Sequence, residues 1–139
     1  MVRKKLGVRE VRKIFVDGKL LELENVLNSV YGSVPNMWYR DVGRYESFYC
    51  ALFYVLLVSS GLEVIVEDVT SIGRIDLTVI NRGKVYIIEM KVDREEAIEQ
   101  IKEKRYHEKY KDREEIYLVG IVIDSRGRRV KKMEVERYR

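Results

Sequence analysis

An α/β domain built on one mixed sheet is the fold class this sequence predicts. Three observations lead there. Residues 17–60 carry helical periodicity, residues 63–91 break into three strand-like segments, and a further helical stretch precedes a last pair of strands. A strand–helix–strand step around that third helix requires at least one parallel pair, because parallel neighbours need a crossover. At 139 residues, the chain is long enough for one domain with a real core and short for two.

The first helix is expected over Asp17 to Tyr31. Leu20, Leu23, Val26, Leu27 and Val30 recur at helical spacing, and Gly32 follows as a C-cap. Pro35 and Asn36 mark a loop. Asp41 is the expected N-cap of a second helix that runs to Ser59-Ser60-Gly61. From Phe48 to Val58 that helix is apolar on nearly every side, which places it centrally and under cover. The run is too short to span a bilayer.

Strict alternation over Glu63 to Val69 favours a strand. Ile75 to Ile80 and Lys84 to Lys91 are two more, joined by Asn81-Arg82-Gly83 as a three-residue hairpin loop. Asp93 and Glu96 form a D-x-x-E capping signature for a helix to about Tyr110, with Ala97, Ile98 and Ile101 as its apolar stripe. Ile116 to Ile123 fits a strand buried on both faces. Ser125-Arg126-Gly127 turns into a final strand, Val130 to Val135.

Composition is that of a globular chain, 46% hydrophobic and 36% charged. The basic start is followed by no apolar signal-peptide core, and a single cysteine, Cys50, allows no internal disulfide, so a reducing cytoplasm is expected. Cys50 reads as a small core residue. The net charge of +4 is uneven: Arg3, Lys4, Lys5, Arg9, Arg12 and Lys13 crowd the start, and Arg126, Arg128, Arg129, Lys131, Lys132, Arg137 and Arg139 the end. Brought beside a site, these would attract phosphate; otherwise they are solvated surface. Heavy use of Lys, Arg and Glu, with Gln100 the only glutamine, hints at a thermophilic source.

The chemistry concentrates in the strands. Alternation points Glu89 and Lys91 one way and Ile88 and Met90 into the core. If Asp76 lies on the paired strand, two carboxylates and an ammonium converge. Carboxylates are hard ligands for a divalent metal, and a fixed ammonium offsets developing negative charge. That combination suits phosphodiester cleavage. Each residue alone has a plain structural reading: Asp76 as a polar strand edge, Glu89 and Lys91 as a solvated face, Gln100 as a surface amide. Glu46, in the first turn of the second helix, is favoured there by the helix dipole alone. His107, the only histidine, stands in a charged stretch and is assigned no metal role.

The segments Tyr45-Glu46-Ser47-Phe48-Tyr49, Gly73-Arg74-Ile75-Asp76-Leu77, Tyr86-Ile87-Ile88-Glu89-Met90-Lys91, Ala97 to Tyr106 and Val119-Gly120-Ile121 together resemble the PD-(D/E)XK nuclease superfamily. More narrowly, they are similar to the nuclease-like domain at the C-terminal end of AAA-ATPase-like proteins of archaea and bacteria. The resemblance covers residues 40 to 135. It implies a restriction-endonuclease-like core, an αβββαβ mixed sheet flanked by helices, over residues 41–139, with residues 1–40 as a helical extension of a single domain. It also implies Asp76 and Glu89 as metal ligands, Lys91 as catalytic lysine, Glu46 as the acidic residue of the first core helix and Gln100 as the glutamine of the second. The carbonyl of Met90 would complete a Mg²⁺ or Mn²⁺ site. Ile75 stands where the signature has proline, and no Gly-x-x-x-x-Gly-Lys-Ser/Thr loop is present.

The expected activity is metal-dependent DNA endonucleolysis, with DNA, an ATPase or other module, and a second copy of the chain as partners, and no membrane. The competing reading is an inactive nucleic-acid-binding or assembly module that keeps the fold. A third is an interaction domain in which Tyr31, Trp38, Tyr39 and Tyr45 form an exposed aromatic surface instead of covering the core helix.

Overall fold

A computed structural model describes residues 8–70, 73–94, 99, 101–102, 110, 112 and 115–138, the side chains of 67–70 and 73–76 excepted. The expected helix at 93–110 therefore lies mostly outside the described residues. So do Glu96, Ala97, Gln100, Lys104 and His107.

Among the described residues, four helices precede five strands. The helices are α1 (Val8–Asp17), α2 (Leu23–Ser33), α3 (Asn36–Tyr39) and α4 (Glu46–Ser59), with a 3₁₀ turn at Leu20–Glu22. The strands are β1 (Glu63–Thr70), β2 (Gly73–Asn81), β3 (Lys84–Val92), β4 (Glu115–Asp124) and β5 (Arg129–Arg137), in one sheet of order β1-β2-β3-β4-β5. Only β3 and β4 pair in parallel; the other neighbours are antiparallel. This is the mixed sheet that the strand–helix–strand step requires.

Alternation splits the sheet between two apolar layers. Leu77, Val79, Tyr86, Ile88, Met90, Val119 and Ile121 face α1, α2 and α4, where Val11, Phe15, Leu27, Tyr31 and Phe53 are fully buried. The N-terminal helices thus share the core of the sheet: the Tyr86 hydroxyl donates to the Phe15 carbonyl, and the two rings meet edge-on at 5.0 Å. On the opposite face Val85, Ile87, Ile116 and Leu118 pack with Ile101 and Tyr110. β4 is buried on both faces, as its dense apolar run predicts.

Several expected boundaries move, each for a local reason. The helical pattern from Asp17 is two helices. Gly18, at φ 72°, ends α1, and Gly32 lies inside α2. Asp41 is not an N-cap: Tyr39 is buried and its hydroxyl donates to the Tyr31 carbonyl at 2.6 Å, which pins the chain in a loop until α4 begins at Glu46. Nor is α4 covered all round, since Val55 and Val58 are 59% and 46% exposed. Asn81 pairs with Lys84, so the β2–β3 loop has two residues, Arg82 and Gly83, both at positive φ (52° and 81°) in the manner of a type I′ turn. Asp93 also sits at positive φ, 59°. Its carboxylate accepts from the backbone N–H and the hydroxyl of Ser125, at 3.1 and 2.6 Å.

Candidate active site

β3 is an interior strand, and Glu89 and Lys91 are 2% and 8% exposed on it. They lie on the face that packs with Ile101, opposite Ile88 and Met90, as alternation requires. The Lys91 ammonium stands 3.0 Å from Glu89 Oε1. Two buried charges on one strand face are costly to desolvate and are tolerated only when paired and hydrogen-bonded. The solvated-face reading of Glu89 and Lys91 is therefore incorrect; they form a buried ion pair.

The backbone of Asp76 lies in β2. The last described β2–β3 pair is Leu77 with Ile88, and one step further on the same register sets Asp76 level with Glu89. The Asp76 side chain and all of Gln100 lie outside the described residues. Met90 itself is buried in the core, where its sulfur is 4.0 Å from the Tyr31 hydroxyl.

Glu46 opens α4 and meets Arg94, three residues past Lys91, in a 2.6 Å ion pair. The bridge ties the start of α4 to the C-terminal end of β3. Asp93 closes the same corner: its N–H donates to the Ile123 carbonyl, and its bonds to Ser125 hold the carboxyl below its ordinary value. The ends of the parallel pair are thus locked together, the place where open α/β sheets present ligand sites.

Sequence reasoning passed over three features here. Arg94 carried no signal beyond its place after β3. On β5, Lys132 and Glu134 form a second ion pair at 2.8 Å. Through Val122 and Gly120, it stands level with Lys91 and Glu89, two strands and about 10 Å away. The third is a recess of about 470 Å³ beside the Ser125 turn, lined by Arg40, Arg44 and Arg128 with Tyr39 and Tyr45. Its sequence traces were the clustered arginines near the C-terminus, which include Arg128, and the aromatic group that includes Tyr39 and Tyr45. The aromatic group divides: Tyr31 and Tyr39 are core, whereas Trp38 and Tyr45 are 65% and 47% exposed.

Buried carboxylate oxygen next to backbone carbonyls is the hard donor chemistry that suits Mg²⁺ or Mn²⁺. Among the described residues, no group of three or more His, Cys, Asp or Glu gathers. Glu89 with Asp76 at the next register step would be the donor set that fits. No helix among the described residues is long and apolar enough to cross a membrane.

A family model of the PD-(D/E)XK nuclease superfamily matches residues 44–133, a span that holds Glu46, Asp76, Glu89, Lys91 and Gln100. The chain is 39% identical over 121 residues to an "Uncharacterized protein in vnfD 5'region" of Azotobacter chroococcum mcd 1. That alignment covers 82% of this chain and 23% of the relative, so the chain spans about a quarter of the relative's length. No solved structure matches the chain significantly.

Proposed function

Because this chain belongs to the PD-(D/E)XK nuclease superfamily, we propose that it is a Mg²⁺- or Mn²⁺-dependent DNA endonuclease working through Asp76, Glu89 and Lys91. The observation that carries this reading is the buried Glu89–Lys91 pair. An interior strand keeps both charges nearly free of solvent at 3.0 Å, facing the layer that holds Ile101.

Asp76, Glu89 and the Met90 carbonyl would hold the metal, with Glu46 in reach of the same corner from α4. The bound ion would supply Lewis-acid polarisation of a phosphate and a water of lowered pKa. Lys91 orients the attacking water and offsets charge on the phosphorane through its ammonium; a positioned cation in a dry site is worth more than one in water. Gln100 orients phosphate or water. The chain acts as one unit, residues 1–40 supporting a nuclease core at 41–139, beside whatever module accompanies it.

The test is cleavage of plasmid, single-stranded and branched DNA with Mg²⁺ or Mn²⁺, comparing wild type with Asp76→Ala, Glu89→Gln and Lys91→Ala at matched folded fraction. Loss of cleavage by at least 100-fold in each variant is expected. If wild type and variants are equally inert on every substrate, yet salt-sensitive DNA binding survives in all of them, the chain is a binding module.

A further inference from the structure

The recess beside the Ser125 turn has chemistry that the cleavage site does not need. Three guanidiniums, of Arg40, Arg44 and Arg128, line it against one carboxylate, Asp41. Arg128 is already set in place: its guanidinium lies 4.4 Å over the Tyr39 ring and donates to Asn36 Oδ1. Arg44 stacks 5.0 Å from the Tyr45 ring centre and donates to the Tyr45 hydroxyl at 2.8 Å. Gly43 belongs to the lining, and a Cβ there would stand 3.0 Å from the Tyr39 carbonyl oxygen. The missing side chain lets the loop close on Tyr39, which forms one wall of the recess.

Its place matters as much as its charge. Ser125 lines it and is bonded to Asp93, two residues beyond Lys91, about 7 Å of strand. Tyr45 lines it too, immediately before Glu46. The recess therefore lies at the end of the sheet where β3 and β4 finish, the end that carries Lys91.

We propose that this recess holds one unpaired nucleotide of single-stranded DNA, its phosphate among Arg40, Arg44 and Arg128 and its base stacked on Tyr45. Guanidinium forks match phosphate oxygens in a bidentate fashion. Arginines pre-set on aromatic rings lose little freedom on binding. A volume of about 470 Å³ lies within the range of small-molecule pockets. A duplex keeps its bases stacked inside, whereas a splayed nucleotide offers both a phosphate and a flat face, the pairing that basic grooves with aromatic platforms recognise. The substrate class rests on the nuclease reading; the recess itself does not.

The experiment measures anisotropy of a short fluorescein-labelled single strand, and of the same sequence as a duplex, in EDTA so that no turnover occurs. Wild-type cleavage with Mn²⁺ is assayed in parallel. Arg40→Ala/Arg44→Ala should weaken single-strand binding about 10-fold or more and reduce the slope of log K against log salt by about 0.7, one single-strand phosphate. Tyr45→Ala should weaken single-strand binding about 10-fold and leave duplex binding unchanged, while Tyr45→Phe, which keeps the ring, binds as wild type. These side chains are exposed, and circular dichroism and Tm confirm folding. The assignment is overturned if wild type does not bind the single strand, if Tyr45→Ala and the arginine variant bind it as wild type does, or if Tyr45→Ala weakens the duplex equally. Wild type that binds as expected but never cleaves DNA leaves the recess assigned and ends the nuclease reading instead.

Discussion

Replacing Lys91 with methionine removes the counter-charge of a carboxylate that has almost no access to water. Glu89 is 2% exposed and its Oε1 lies 3.0 Å from the ammonium, so the loss of Lys91 strands a buried charge. Removing one partner of a buried pair costs about 3–5 kcal/mol. At roughly 3–5 °C per kcal/mol for a domain of this size, Tm should fall by about 10–20 °C. The matched double variant Glu89→Gln/Lys91→Met leaves no charge stranded and should recover most of that loss. A thermal-melt double-mutant cycle therefore gives a coupling energy of about 2 kcal/mol or more. Mn²⁺ should raise the Tm of Lys91→Met, because a cation held by Glu89 replaces the missing charge, and should leave the double variant unmoved. A single-variant loss below about 1 kcal/mol, the range of exposed pairs, would show that the pair is not buried in solution and would refute the reasoning.

Three further outcomes follow from other parts of the fold. Asp93 is held below its ordinary carboxyl value, near 3.8, by the two Ser125 bonds; a depressed folded value adds stability that is present above that pH and lost as pH falls through it. The advantage of wild type over Asp93→Asn in urea melts should be constant above pH ~5 and shrink in more acid solution. Burial pushes Tyr39 and Tyr86 up to about 12; a raised value means stability fully present below pH 10 and lost as pH climbs toward 12, so ultraviolet titration should show tyrosines that ionise only on alkaline unfolding, fewer of them in Tyr86→Phe. Gly83 lies at φ 81° with open space around it, so Gly83→Ala should cost about 1–2 kcal/mol through backbone strain alone, while Arg82→Asn, better suited to its φ of 52°, should raise Tm.

Most of the sheet was legible in the sequence because strand signals are local. Alternation located β1 and β5, the strand-like runs on either side of the Asn81-Arg82-Gly83 turn located β2 and β3, and the dense run from Ile116 identified β4 as doubly buried. The helices were less legible. Asp17 to Tyr31 has one period but two helices, because Gly18 stops α1 through a backbone angle that periodicity does not register. Asp41 has the right chemistry for a cap, yet buried Tyr39 holds the loop and delays α4. Val55 and Val58 show that an apolar helix can keep an open face when its partners cover only part of it.

The sequence by itself determined the α/β class, the strands of the sheet and the residues of the Asp76, Glu89 and Lys91 motif, because each depends on side-chain type at short spacing. Whether Glu89 and Lys91 were solvated or buried depended on which strand was interior and what lay over it. That was decided only when β2 and β4 flanked β3 and apolar Ile101 closed on its outer face. The arginine-lined recess belongs wholly to the tertiary level. Arg40 and Arg128 are 88 positions apart in sequence, and only the register of β5 on β4 and the pinning of the loop by Tyr39 bring them to the same wall.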